Sequence, residues 1–367
     1  MGFNCGIVGL PNVGKSTLFN ALLATVQAEA ANYPFCTIEP NVGKVAVPDA
    51  RLEQLAQVAS SAQILPTQLE FVDIAGLVRG ASEGEGLGNQ FLAHIREVDA
   101  IVYMLRCFED DDITHVEGEV DPLRDAEIIE AELMLADLES LEKRITGATK
   151  KARGGDKEAQ ALLALAEPLK TALESGVSAR SWALQHAADP KVLKHMQLLT
   201  SKPVLYVCNV EESAAASGNA WSQKVADYAA RQAAPCVVIS AKIEAEVAAL
   251  DDAEEQQMFL QELGLAQTGL AKIVRAGYDL LDLITFFTVG PKEARAWTVA
   301  RGALAPQAAG VIHTDFERGF IRAETTACED YLACGGEQGA KDVGKCRIEG
   351  KEYVVRDGDV MHFRFNV

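Results

Sequence analysis

The chain has 367 residues, of which 49% are hydrophobic and 24% are charged. This composition predicts a soluble globular protein with two or three domains. The formal net charge of −19 argues against non-specific nucleic-acid binding and against a sequence-specific DNA-binding protein, because such binding depends on neutralised phosphates. No apolar run approaches the roughly 18 residues that a membrane helix needs, and no signal-peptide pattern is present. Eight cysteines without a C-x-x-C pair predict reduced thiols and a cytoplasmic protein.

Apolar segments alternate with helical segments over much of the chain. This pattern predicts an α/β fold with a mainly parallel sheet. The first predicted strand, residues 3–8, leads into a glycine-rich loop and a helix over residues 16–25. Four further segments are predicted to be parallel strands, namely residues 69–72, 100–105, 203–208 and 236–239.

Residues 122–200 interrupt this alternation. Apolar residues recur at helical spacing over 128–145 and again over 159–173, with a polar, glycine-containing segment over 147–157 between them. We expect an inserted antiparallel helical hairpin, or coiled coil, with the polar segment at its tip. The alternative is that these helices cover the sheet. However, they contain too much helix for one crossover between two strands.

The C-terminal residues have a different pattern. Strand-like segments at residues 283–289, 296–300, 353–355 and 360–367 surround one helical stretch at 306–313. Strands around a single helix predict a small mixed α+β domain.

Residues Gly9–Ser16 form the motif G-x-x-x-x-G-K-S, placed after a predicted strand and before a predicted helix. This context makes the motif a strong signal for a phosphate-binding P-loop. Glycines allow the backbone to approach phosphates, and the amides at the start of the helix point at their negative charge. Lys15 supplies a positive charge to the β and γ phosphates, and Ser16 a hydroxyl ligand to Mg²⁺.

Two further segments fit a nucleotide switch. Asp73 ends a predicted buried strand within D-x-x-G, so its carboxylate is a candidate Mg²⁺ ligand, directly or through water, and Gly76 can bring its amide near the γ phosphate. Thr37, in a polar proline-flanked loop, is a candidate third Mg²⁺ ligand and γ-phosphate sensor. A threonine in an ordinary turn is the alternative interpretation of Thr37.

The segment Asn209-Val210-Glu211-Glu212 bears on the choice of base. GTPases of this layout carry N-K-x-D at this place, where the aspartate accepts two hydrogen bonds from guanine. Glutamate is one methylene longer, so we expect the guanine-matched geometry to fail and ATP to be preferred over GTP. Which of the two glutamates faces the base is left open by the sequence. Ser240 and Ala241, after the next strand, fit a loop beside the base. The predicted nucleotide-binding residues are Asn12, Val13, Gly14, Lys15, Ser16, Thr17, Gly76, Asn209, Val210, Glu212, Ser240 and Ala241.

Together these motifs resemble the Obg-related P-loop proteins of the translation-factor class, and most closely the family of Obg-like ATPases called YchF. The resemblance covers essentially the whole chain, and its most specific segments are residues 12–17, 32–41, 73–81 and 209–212. It implies a slow cytoplasmic ATPase that acts as a switch near the ribosome. It also implies a nucleotide-binding G domain over 1–121 and 201–280, a helical domain over 122–200 and a TGS-like β-grasp domain over 281–367.

The expected basal rate of hydrolysis is low. Leu77 stands where many switch proteins place a glutamine that orients the attacking water, and an apolar side chain cannot do this. His115, in an acidic loop after a predicted strand, is a candidate catalytic residue besides Lys15, and a solvated loop histidine is the alternative. Asn12 is a candidate ligand of a monovalent cation such as K⁺.

The predicted hairpin tip is basic. Residues 143–157 contain six lysines and arginines and one acidic residue, in an otherwise acidic chain. Such a tip could dock on ribosomal RNA, and the expected partner is the 50S subunit or the 70S ribosome, contacted through the helical tip and the TGS-like domain. A solvated polar loop is the alternative. A P-loop metabolic kinase and a nucleotide-dependent binding scaffold are the competing functions.

Overall fold

The structure is a computed structural model that describes residues 3–32, 41–74, 87–110, 118–188, 193, 196–250 and 252–366. Four residues named above lie outside the described residues, namely Thr37, Gly76, Leu77 and His115. None of the described helices is long and apolar enough to cross a membrane.

The predicted parallel sheet is confirmed. Its described strands are β1 (Asn4–Val8), β2 (Val42–Ala46), β4 (Gln68–Asp73), β5 (Ala100–Cys107), β6 (Val204–Val210) and β7 (Cys236–Ile239), in the order β2-β4-β1-β5-β6-β7. All neighbouring pairs are parallel except β2 with β4. Every residue of β5 and β6 is buried, as expected for central strands covered on both faces. The carboxyl ends of β1, β4, β5, β6 and β7 therefore share one edge of the sheet.

Helices pack around this sheet. The helices of this part of the chain are α1 (Lys15–Asn32), α2 (Ala50–Ala59), α3 (Leu87–Glu97), α7 (Ala220–Arg231), α8 (Ala241–Ala248), α9 (Ala253–Glu262) and α10 (Gly269–Leu280). Of these, α2 packs against the second sheet described below. Helix α1 was predicted to end at residue 25 but continues to Asn32. Helix α10 begins at a buried carboxylate, because Glu244 accepts hydrogen bonds from the amides of Gly269 and Leu270.

The inserted helical hairpin is also confirmed, in the form of α4 (Pro122–Arg153) and α5 (Lys157–Glu174), followed by α6 (Ala179–His186). The turn falls within the predicted polar segment 147–157, but Gly147 itself does not end the helix. An interior glycine costs only about 1 kcal/mol, and α4 continues through it to Arg153. The turn lies at Gly154 and Gly155, where Gly155 has φ of +88°, and Asp156 then caps α5.

A buried ion pair joins the hairpin to the sheet. Arg180 of α6 lies 2.7 Å from Glu130 of α4, and the Tyr103 hydroxyl of β5 donates to the same carboxylate at 2.6 Å. Burial raises the pKa of Tyr103 well above its usual value, so this hydroxyl keeps its proton. Asp137 accepts three further hydrogen bonds from the backbone and side chain of residues 199–200, just before β6. The hairpin is therefore fixed to the two central strands.

The C-terminal unit is built on a second sheet. Its described strands are β3 (Gln63–Leu65), β8 (Leu283–Val289), β9 (Glu293–Ala300), β10 (Phe320–Ala327), β11 (Arg347–Glu349) and β12 (Asp359–Phe365), in the order β11-β10-β12-β8-β9-β3. The helices are α11 (Ala305–Ile312), α12 (Thr314–Arg318), α13 (Cys328–Ala333) and α14 (Glu337–Asp342). The first and last strands of the unit, β8 and β12, are parallel neighbours at its centre. Each pairs outward with an antiparallel strand, which is the expected β-grasp arrangement.

Several features of this unit differ from the prediction. Its described residues include four short helices where one was expected, and a short additional strand, β11. Residues 353–355 form no strand, and Val354 makes only an isolated bridge to Leu304. Strand β10, which the sequence analysis did not predict, pairs with β12 along most of its length.

A segment from the N-terminal part of the chain completes the second sheet. Strand β3 pairs with β9, and Leu52 and Leu55 of α2 pack in a common core with Phe287. Arg51 joins the two parts further through an ion pair with Asp357 at 2.7 Å. The nucleotide-binding sheet and the C-terminal sheet are thus linked by packing as well as by the chain.

Candidate nucleotide-binding site

The P-loop lies at the carboxyl edge of the first sheet. It leaves β1 after Val8 and ends where α1 begins, at Lys15. At both glycines of the loop, a larger side chain would clash with neighbouring atoms. A Cβ at Gly9 would lie 2.7 Å from the carbonyl oxygen of Met104, and a Cβ at Gly14 would lie 2.3 Å from Nδ2 of Asn209. Gly14 also has φ of +93°, a conformation that other residues rarely adopt. The loop therefore wraps closely against β5 and β6.

Lys15 and Asp73 form an ion pair in this site. Asp73 is at the carboxyl end of β4, in register with Ile7 of β1, so it emerges beside the P-loop. The side chains are 12% and 20% exposed, respectively, so both groups remain within reach of solvent. The structure thus brings together two of the predicted site residues that lie 58 positions apart in the chain.

The first turn of α1 suits an anion. It contains no acidic residue, and Ser16 and Thr17 are exposed there. Free amides at a helix start, together with the helix dipole, favour phosphate. Asn12, also exposed, has φ of +63° in the same loop.

The donor set fits Mg²⁺. The Ser16 hydroxyl and the Asp73 carboxylate supply oxygen atoms, which this hard cation prefers, and a bound triphosphate would supply further ones. The ammonium of Lys15 neutralises Asp73 in the present arrangement. When bound, the ion would neutralise the negative charge of the phosphates.

Asn209 connects the P-loop to the loop that follows β7. Its side chain is 4% exposed and uses both ends of the amide. Nδ2 donates to the carbonyl oxygen of Val13 at 2.9 Å, and Oδ1 accepts from the amide of Ala241 at 2.8 Å. Asn209 therefore holds two loops of the site in a fixed relation.

The residues after Asn209 have separate roles. Val210 is 2% exposed and packs in the main hydrophobic core. Glu211 accepts a hydrogen bond from Nδ2 of Asn219 at 2.9 Å. Glu212 instead forms a 2.6 Å ion pair with Lys242 of α8. Each carboxylate thus has a different protein partner.

Ser240 and Ala241 lie where α8 begins, and both are buried. A Cβ placed on Gly14 would lie 3.5 Å from that of Ala241, so this helix start borders the P-loop directly.

Sequence reasoning missed two residues that shape the same edge. Asn219 donates to the carbonyl oxygen of Cys107 at 2.7 Å as well as to Glu211, and so joins the ends of β5 and β6. Arg106 is 2% exposed, donates to the carbonyl oxygen of Phe108 at 3.1 Å and lies over its ring. Arg106 could have been found from the sequence, because it is an arginine near the end of an otherwise apolar strand. Asn219 gave no such signal, because asparagine is common at helix starts.

The fold and this edge of the sheet together define the class of protein. A strand, a glycine loop and a helix start form a phosphate cradle, and a lysine and a strand-end carboxylate stand beside it. The protein is a P-loop nucleoside triphosphatase.

Comparisons with known proteins place the chain within this class. Residues 4–163 match a family model described as "50S ribosome-binding GTPase", and residues 283–366 match the model YchF-GTPase_C, described as a protein of unknown function. "Ribosome-binding ATPase YchF" of Haemophilus influenzae is 57% identical over 367 residues, and its namesake in Bacillus subtilis is 56% identical over 369 residues, with both chains covered completely in each case. The solved structure of the Schizosaccharomyces pombe YchF GTPase is 37% identical, with a TM-score of 0.83 over 99% of this chain and 98% of that one. The chain belongs to the YchF family.

Proposed function

We propose that this protein is a slow, Mg²⁺-dependent regulatory ATPase that prefers ATP over GTP and acts as a switch on the ribosome in the cytoplasm. The names of similar proteins do not decide the nucleotide, because the two bacterial relatives are called ATPases and the fission yeast protein a GTPase. The observation that carries the proposal is the arrangement around Asn209. Its motif ends in a glutamate that is ion-paired to Lys242, where a guanine site requires an available aspartate.

The proposed roles in hydrolysis follow from charge. Lys15 leaves Asp73 for the β and γ phosphates, where it stabilises the charge that develops as the phosphoryl group is transferred. Ser16 and Asp73 hold Mg²⁺ with Thr37 as the third protein ligand, and Gly76 contacts the γ phosphate. His115 orients water in place of the missing glutamine, and Asn12 contributes to a K⁺ site.

The ATP preference is tested by competition. Displacement of a fluorescent ADP analogue by ATP and by GTP, both with Mg²⁺, should give an affinity for ATP at least about tenfold higher, in line with a polar site built for one donor pattern. Asp73→Asn should lower the affinities for ATP and GTP to a similar extent, because this residue acts at the proposed metal site and not at the base. Equal affinities of the wild-type protein for ATP and GTP would refute the proposed preference.

The hairpin tip supports a ribosomal contact. Lys150, Lys151 and Arg153 are exposed in the last turn of α4, and no ion pair of these three is seen among the described residues. Lys143, lower on the helix, is paired with Glu139. Because the chain as a whole carries a net charge of −19, the tip provides a local site for RNA phosphates on a body that repels them.

Charge reversal at the tip tests this interaction. Lys151→Glu should weaken binding to purified ribosomes, and the triple change at Lys150, Lys151 and Arg153 should weaken it further. The slope of the salt dependence should fall by about one unit for each RNA phosphate that the protein no longer neutralises. Lys224→Glu is the matched control, because it reverses an exposed lysine on α7. Unchanged ribosome affinity of the triple variant would exclude the tip as the docking site.

A further inference from the structure

The base side of the site is an edge formed by three loops, which follow β5, β6 and β7. Asn209 fixes Ala241 to the P-loop through its two hydrogen bonds, and Ala241 packs against Gly14. Lys242 is the next residue of α8, so its position relative to the phosphate cradle is set by the backbone.

Lys242 pairs with the carboxylate of Glu212 after β6, and two further acidic groups influence it, Asp110 after β5 and Glu246 on its own helix α8. Its Nζ lies 2.6 Å from Oε1 of Glu212. The hydrogen bond from Lys242 to Glu212 raises the pKa of the lysine, and the charges of Glu246 and Asp110 add to this effect. The side chains of Lys242 and Glu212 are 69% and 42% exposed, so the pair lies on the rim and is not part of the core. Its removal should therefore leave the fold intact.

We propose that Lys242 is a specificity-determining residue, whose ion pair keeps the Glu212 carboxylate from binding the N1–H and N2 amino group of guanine. A carboxylate recognises these two donors when its oxygens and its charge are available. Adenine has an acceptor at N1 and no amino group at C2, so its binding does not need this carboxylate. The inference rests on the proposed ATP preference and names a residue that contributes to it.

Glu211 is a less suitable carboxylate for this role. Asn219 holds it, and the same amide nitrogen also donates to the end of β5. Glu212 is therefore the group that becomes available for a base when Lys242 is removed.

The test is the ratio of GTP affinity to ATP affinity, measured by displacement of a fluorescent ADP analogue with Mg²⁺ present. Lys242→Ala should raise this ratio by up to about fivefold, the range expected for removal of one exposed ion pair. ATP affinity should change little. Lys242→Arg should keep the wild-type ratio, because it preserves the pair. Arg301→Ala, which removes a similarly exposed pair with Asp282, is the matched control and should also keep it.

A double variant separates base specificity from a structural effect. In Lys242→Ala/Glu212→Gln the ratio should return to the wild-type value, because the freed carboxylate is gone. An unchanged ratio in Lys242→Ala, or an increase that persists in the double variant, would overturn the inference. The ratio measured for the wild-type protein tests the proposed ATP preference, whereas the change of this ratio in the variants tests the role of Lys242. Failure of one claim can therefore be distinguished from failure of the other.

Discussion

Replacing Lys15 with alanine should abolish ATP hydrolysis, with a decrease of at least about hundredfold in the turnover number. Lys15 is the positive side chain at the phosphate cradle, and it is paired with the carboxylate proposed to hold the metal. Removing one group that stabilises transition-state charge costs about 10²–10³ in rate. Phosphate release at saturating ATP and Mg²⁺ measures the effect directly.

The control must break a comparable ion pair elsewhere in the same sheet. Lys44 on β2 pairs with Glu70 on β4 at 3.0 Å, and this pair is not part of the P-loop. Lys44→Ala should therefore retain turnover. Thermal unfolding of both variants would show that each is folded. If Lys15→Ala hydrolyses ATP as fast as the wild-type protein, the proposed role of the P-loop in hydrolysis is wrong.

Replacing Asn209 with alanine should reduce both stability and nucleotide affinity. The change leaves the Val13 carbonyl and the Ala241 amide without their partner in a buried position. Each unsatisfied group costs about 1–3 kcal/mol, so the free energy of unfolding should fall by about 2 kcal/mol or more. Nucleotide affinity should fall as well, because the P-loop and the start of α8 are no longer held together.

Urea unfolding and nucleotide titration measure the two effects, and two further variants make the test specific. Asn209→Asp keeps the acceptor for Ala241 but puts a carboxylate oxygen against the Val13 carbonyl in a buried position, so its stability should also fall well below that of the wild type. Gly14→Ala should disturb the same hydrogen bonds, because the new methyl group on the P-loop would displace the side-chain amide of Asn209. Wild-type stability in Asn209→Ala would contradict the bridging role.

The sequence predicted the elements around the nucleotide more accurately than those of the C-terminal unit. Strands β1, β4, β5, β6 and β7 were predictable because buried parallel strands are short apolar runs between helices. The strand β10 was missed because its residues mix exposed, charged and small side chains. The polar segment of the hairpin was predicted to begin at Gly147, but packing along α4 outweighs the low helix propensity of that glycine, and the helix continues to Arg153.

Only the tertiary structure showed how the two sheets are joined. Residues 50–65 follow a strand of the first sheet, and nothing in their pattern indicates that β3 will pair with β9, some 230 positions later. Strand pairing between distant segments depends on the packing of α2 against the second sheet, which has no local signature.

The sequence by itself determined the P-loop, the strand-end position of Asp73 and the departure from N-K-x-D, because each of these is a short segment whose chemistry depends on residue type and spacing. The tertiary structure decided which groups those residues meet. It paired Lys15 with Asp73, directed Val210 into the core and used both ends of the Asn209 amide to join two loops. It also gave Glu211 and Glu212 different partners, Asn219 and Lys242. Such contacts form between residues far apart in the chain, and their geometry is set by the sheet that brings the strand ends together.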